Sequence, residues 1–243
     1  MSRQTLVLIP GMLNNATVWS EVAPALTDVA DVHIPIFSDE NTIEAMAETV
    51  LASAPPGPLA IAGFSMGGWV AQAVFRQAKD RTTRLAFISS GASPADQKEL
   101  DTFTRTGNSV PSNFEALLAR MFPATVHPSR LEDTALAATA IQMWREVGPI
   151  TFVQQRQAVV DRPDLRPHLR ALDIPVLIAC GREDPVCPPA FSQELGALMP
   201  SAHIVFVEQC GHLLPFERPD ELAGLMRQWL AAKQGITQGE RHG

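Results

Sequence analysis

The chain has 243 residues, 46% hydrophobic and 19% charged, the composition of a soluble globular protein long enough to bury a sizeable core. Its formal net charge of −7, with no Lys or Arg run to offset it, repels phosphate backbones and argues against nucleic-acid binding. No apolar run reaches membrane-spanning length, and strand-like Thr5-Leu6-Val7-Leu8-Ile9 is cut by Pro10-Gly11 too soon for a signal peptide. The three cysteines, Cys180, Cys187 and Cys210, match neither a disulfide framework nor a zinc pattern; they read as small packing residues, and a cytoplasmic location is expected.

Short apolar runs alternate with amphipathic stretches, which predicts a parallel sheet with crossover helices on both faces. Strands are expected at residues 5–10, 31–36, 58–63, 84–90, 174–180 and 202–208, and helices at 17–29, 42–53, 66–78, 188–198 and 219–232. In the second helix Ile43, Met46, Ala47 and Val50 share one face. The rhythm breaks between about Pro94 and Leu172, where only helical pieces are legible, at 96–105, 113–121, from a capping-box pattern at Ser129-Arg130-Leu131-Glu132 to Val147, and at 150–160. Gly148-Pro149 is expected to stop the long one. Helices inserted there sit over the ligand-binding edge of a doubly wound sheet, so 94–172 reads as a lid on a core of 1–93 and 173–233, with a frayed tail at 234–243.

Between the third strand and the third helix stands Gly63-Phe64-Ser65-Met66-Gly67. A serine at a sharp strand-to-helix turn needs small neighbours two positions either side, and its hydroxyl then stands at a helix N-terminus. Such a serine needs a base, and the base an orienting acid. Of six histidines only His212, in Gln209-Cys210-Gly211-His212, follows a strand on a Gly-containing loop at the proper edge. Asp184, in Gly181-Arg182-Glu183-Asp184-Pro185, is the expected acid; Glu183 is the nearest rival, facing solvent, and Asp96 reads as a helix N-cap. The oxyanion needs two N–H donors, Met66 after the nucleophile and Met12 in Pro10-Gly11-Met12-Leu13, with the Leu13 N–H as fallback.

On these residues the chain resembles the α/β-hydrolase superfamily along nearly its whole length, and the chain order Ser, Asp, His agrees. The resemblance implies Ser65 as nucleophile, His212 as general base and acid and Asp184 as its orienter. It departs from the family in three places. Pro10-Gly11 replaces the usual His-Gly, Phe37-Ser38-Asp39-Glu40-Asn41 replaces a longer wall loop, and the first antiparallel hairpin is missing, which leaves six strands, all parallel.

The expected mechanism is acyl transfer through Ser65 without metal or organic cofactor. Leu13, Trp19, Phe122, Trp144 and Leu213 are the expected substrate-binding residues, drawn from a wider set that includes Phe103, Phe114, Met121, Ile141 and Phe152. Arg162 and Arg166 read as an exposed ion-pair cluster or as binders of an acidic substrate group. A small or medium, mostly apolar carboxylic ester is the leading substrate. Carbon–carbon, lactone or thioester hydrolysis on the same triad is the alternative, and ligand binding without turnover comes from another class. The oligomeric state is not legible.

Overall fold

The computed structural model describes residues 3–106, 112–170 and 172–232. The tail expected at 234–243 lies outside the described residues. The strands are β1 (Gln4–Ile9), β2 (Ala30–His33), β3 (Leu59–Phe64), β4 (Thr82–Ile88), β5 (Val176–Gly181) and β6 (His203–Val207). They pair in parallel in the order β2-β1-β3-β4-β5-β6. The winding reverses between β1 and β3, so the loops that leave their C-terminal ends face each other across a crevice.

The period-2 alternation of strand side chains divides the core into two layers. Leu6, Leu8, Ala60, Ala62, Ala86, Ile88, Leu177 and Ala179 pack in one, and Val7, Ile9, Ile61, Leu85, Phe87, Val176 and Ile178 in the other. Both faces are apolar because helices cover both.

Nine helices lie among the described residues: α1 (Ile43–Ser53), α2 (Met66–Gln77), α3 (Gln97–Thr106), α4 (Phe114–Met121), α5 (Thr134–Val160), α6 (Arg166–Leu169), α7 (Pro189–Leu198), α8 (Leu214–Glu217) and α9 (Pro219–Ala231). Helix α1 starts where the Thr42 hydroxyl accepts the Ala45 N–H at 3.1 Å, and it buries the expected Ile43, Met46, Ala47 and Val50. It shares the second layer with α2 and α7, while α9 closes the first with Leu222, Met226 and Trp229.

Two helix expectations are corrected. Residues 17–29 form two short 3₁₀ turns, Ala16–Trp19 and Pro24–Leu26, because Pro24 has no N–H to carry a helical ladder across. The capping box at Ser129 does not open the long helix. His127 caps a 3₁₀ turn there, and α5 begins after Asp133, whose carboxylate accepts the Leu136 N–H at 2.9 Å. Gly148, at φ 84° and ψ 167°, is non-helical, so the first half of α5 ends there as expected, and a second half begins at Pro149 and runs as far as Val160.

The kink has a consequence for the core. Before it, Leu136, Ala140, Met143 and Trp144 pack in the first layer with Trp19 and Phe64. Well after it, Ala158 packs in the second layer, as do Leu165 and Leu169. Helix α5 therefore crosses the C-terminal edge of the sheet from one face to the other.

Candidate active site

Ser65 occupies the turn between β3 and α2 with φ 52° and ψ −119°, a conformation costly for a residue with a Cβ. Glycines make the turn possible. A Cβ on Gly63 would stand 2.1 Å from the Gly67 carbonyl oxygen, and one on Gly67 would stand 2.5 Å from that of Ile9. The turn is tied down by Ser65 N–H donating to the Ile88 oxygen at 2.9 Å and by the Ser90 hydroxyl donating to the Ser65 oxygen at 2.8 Å. The Ser65 side chain makes no capping bond to α2 and stays available.

Three sheet-edge loops converge on it. The Ser65 Oγ lies 3.0 Å from His212 Nε2, and His212 Nδ1 lies 2.9 Å from Asp184 Oδ2. Asp184 is buried, and its Oδ1 accepts the Val186 and Cys187 N–H groups at 2.8 Å each. Those donors fix the carboxylate, so the ring proton belongs on Nδ1 and Nε2 is left to accept from the serine. Glu183 is exposed, as expected, and accepts the Cys210 N–H at 3.2 Å. Asp96 caps α3 as expected, in a reciprocal box: its Oδ1 accepts the Glu99 N–H at 2.7 Å and Glu99 accepts its own N–H at 3.0 Å.

Gly211 works differently from the sequence expectation. A Cβ there would meet His127 N at 2.5 Å, so the close approach is to the segment 125–127, not to the serine. The same segment receives the His212 N–H at the Thr125 oxygen, 2.6 Å away. Glu217 carries no signal in the sequence that would assign it a role. Its buried carboxylate accepts the N–H groups of His127 (2.8 Å), Gly211 (3.1 Å) and Leu213 (3.1 Å), on both sides of His212. Burial pushes its carboxyl above the usual range despite those donors.

At the expected oxyanion position, the Met66 N–H is in the first turn of α2, where a helix leaves its N–H groups without internal partners. The fallback Leu13 N–H is taken: Gln155, buried in α5, accepts it at 2.7 Å while Leu13 sits at φ 60°. The Met12 N–H has no such partner among the described residues. Gln155 was invisible in the sequence, where a polar residue in a long helix reads as solvent-facing.

Ser65 opens into a cavity of about 550 Å³ whose walls come from Met12, Met66 and Trp69, from α3, from the far half of α5, and from Pro185 to Phe191. The five expected substrate-binding residues are not on those walls. Leu13, Trp19, Phe122, Trp144 and Leu213 are all buried in the first-layer core, because the near half of α5 turns that way, whereas the cavity opens on the second layer. Of the wider set only Phe103 lines it. Arg162 is corrected too: it is buried, not exposed. It lies 4.4 Å over the Trp69 ring and donates to the Ser93 oxygen (2.9 Å), the Val159 oxygen (2.7 Å) and Glu99 (2.7 Å). Arg166 does form the expected ion-pair cluster, with Asp164 and Glu194. The three cysteines are free and buried, and burial pushes the Cys180 thiol up to about 11.

The model of the alpha/beta hydrolase family matches residues 6–225, and the chain belongs to that family. It is esterase-like in sequence. Over 224 residues it is 25% identical to the pimeloyl-[acyl-carrier protein] methyl ester esterase of Vibrio cholerae serotype O1, covering 86% of this chain and 87% of that one. Among solved structures, a thermophilic esterase from Thermogutta terrifontis superposes with a TM-score of 0.84 at 24% identity, covering 94% of this chain and 90% of that one. The enol-lactonase of Burkholderia xenovorans LB400 gives 0.82 at 20% identity, with 96% and 93% covered. These two likenesses concern the fold.

Proposed function

We propose that this enzyme hydrolyses carboxylic esters of small to medium substrates through an acyl-enzyme on Ser65. The reading rests on one observation, the unbroken hydrogen-bonded chain from Ser65 Oγ through His212 to the buried Asp184. His212 Nε2 takes the hydroxyl proton as Oγ attacks the carbonyl carbon. The new oxyanion is met by the N–H groups of Met12 and Met66, and the alcohol leaves with the proton from His212. Water then enters by the same route and releases the acid. The relatives named as methyl ester esterases support a small leaving alcohol.

In this reading the helical segment 94–172 is the lid of a core formed by 1–93 and 173–233. The partner is a small-molecule substrate and not nucleic acid or a membrane, and the site of action is the cytoplasm. No helix among the described residues is long and apolar enough to cross a membrane. The test is a series of chromogenic esters of rising acyl length, with wild type and Ser65→Ala side by side. Turnover that disappears in the variant is the expected result; equal turnover in both would end the proposal.

A further inference from the structure

The loop that follows β1 carries the expected oxyanion donor Met12, and its backbone is held in an uncommon form. Residues Gly11 to Asn14 make a turn closed by the Asn14 N–H on the Gly11 oxygen at 3.1 Å. Its third residue, Leu13, sits at φ 60°. Turns of that form favour glycine or asparagine in third place, because a Cβ is costly there. The ordinary alternative, with a negative φ at that residue, differs by about a half-turn of the middle peptide, here Met12–Leu13. The buried Leu13 side chain anchors its own Cα but does not choose between the two forms of the peptide before it. Two other side chains do. Asn14 Nδ2 donates to the Met12 oxygen at 2.6 Å, and Gln155 Oε1 accepts the Leu13 N–H at 2.7 Å. Both bonds are lost if that peptide turns over, because its N–H and carbonyl then change sides. Gln155 is itself buried, in the far half of α5, one helical turn before the cavity-lining Val159. A primary amide is an expensive group to bury, and its oxygen meets a backbone group 142 residues away. The turn also lies against the nucleophile, since a Cβ on Gly11 would stand 3.1 Å from the Ser65 Cβ.

Taking the esterase mechanism as its basis, we propose that Gln155 is a positioning residue for the oxyanion hole. From the helical segment over the site it holds the Met12–Leu13 peptide in one of its two forms, and through it the Met12 N–H. The two peptides share the Met12 Cα, so a middle peptide free to turn over leaves the Met12 N–H without a fixed direction. Donors of this kind accelerate a reaction because they are aimed before the charge forms. Gln155 touches neither substrate nor reacting atoms; it acts through the turn. The bond also ties the hole to the lid, because the hole is complete only while the far half of α5 is seated.

The experiment measures kcat and KM on p-nitrophenyl butyrate for wild type, Gln155→Met and Gln155→Glu, with a melting curve for each. It adds the affinity of an alkyl trifluoromethyl ketone, which a serine attacks to give a stable tetrahedral oxyanion. Methionine keeps the side-chain length and loses the acceptor; glutamate keeps an acceptor oxygen whether or not it is protonated. Gln155→Met should lower kcat about thirtyfold, less than the roughly 10²–10³-fold of losing an oxyanion donor outright, and should weaken the ketone by a similar factor with KM within about twofold. Gln155→Glu should recover most of both losses. A Gln155→Met that melts earlier but keeps its kcat and its ketone affinity would overturn the proposal, as would an equal loss in Gln155→Glu. Should Gln155→Met not fold, Gln155→Asn, whose amide stops one methylene short of the Leu13 N–H, is read in the same way. If wild type cleaves no ester, the ketone still decides. Binding to wild type that is lost in Gln155→Met keeps this proposal while the esterase reading fails; equal binding to both overturns it, and no binding to wild type overturns the two together.

Discussion

The sheet edge and the helical segment above it are built on opposite terms. At the sheet edge the backbone itself is crowded. Gly63, Gly67 and Gly181 each face a carbonyl oxygen that a Cβ would approach within 2.1 to 2.5 Å, and Ser65 is held at a positive φ. In the helical segment, apart from the backbone of 125–127 that meets Gly211, the apolar packing is between side chains, and Gly148 sits at a positive φ with nothing near it. Where backbones touch, one residue type is admissible. Where side chains touch, many combinations fill the same volume, and the sequence does not announce which face of a helix meets the substrate.

The sharpest way to break this contrast is at the reacting groups. Ser65→Ala should lower kcat by roughly 10⁴-fold or more, and Asp184→Asn by about 10⁴-fold through the wrong imidazole tautomer, both read from initial ester hydrolysis rates on folded protein. An active Asp184→Asn would mean that the carboxylate does not orient His212. Next in size is Gly67→Ala, which forces a clash with two backbone carbonyls and should cost upwards of about 3 kcal/mol or prevent folding, as measured by urea unfolding.

Glu217→Gln tests the clasp around His212. It keeps the shape but loses one acceptor, so kcat should fall about tenfold with KM little changed, and stability by about 1–2 kcal/mol at neutral pH. The pH dependence has a defined sign. The Glu217 carboxyl is raised in the fold, so its titration favours the folded state below the ordinary carboxylate range, and that contribution is lost as pH rises through its folded value. The stability gap between wild type and Glu217→Gln should therefore narrow from acid to neutral pH; a gap that widens instead would contradict a raised carboxyl. The smallest effect is expected at Gly224, mid-helix in α9 with open space around it, where Gly224→Ala should add about 0.5–1 kcal/mol in the same unfolding assay.

This contrast also explains what could be read in advance. All six strands and their parallel pairing were legible from apolar runs alternating with amphipathic stretches, and the meeting of Ser65, Asp184 and His212 from a glycine at the end of the apolar run before each. The break at Pro24 was written in the sequence and overridden by the apolar pattern around it. The direction of α5 was not written there: its two ends pack on opposite faces of the sheet, and the kink at Gly148 and the packing of Trp144 and Ala158 decide which residues line the cavity. Gln155 and Glu217 escaped because a buried polar side chain is identified by its partners, and those lie 142 and as many as 90 residues away in the chain.

The segment 125–127 bears on motion. It takes the His212 N–H at Thr125, gives its own His127 N–H to Glu217, and lies flush against the bare Cα of Gly211. The segment and the base are thereby hydrogen-bonded to one another on both sides of His212, and displacing the segment would break bonds that hold the base. An opening that left 125–127 in place would therefore keep the imidazole aligned, and the proton relay would not have to be reassembled with each turnover.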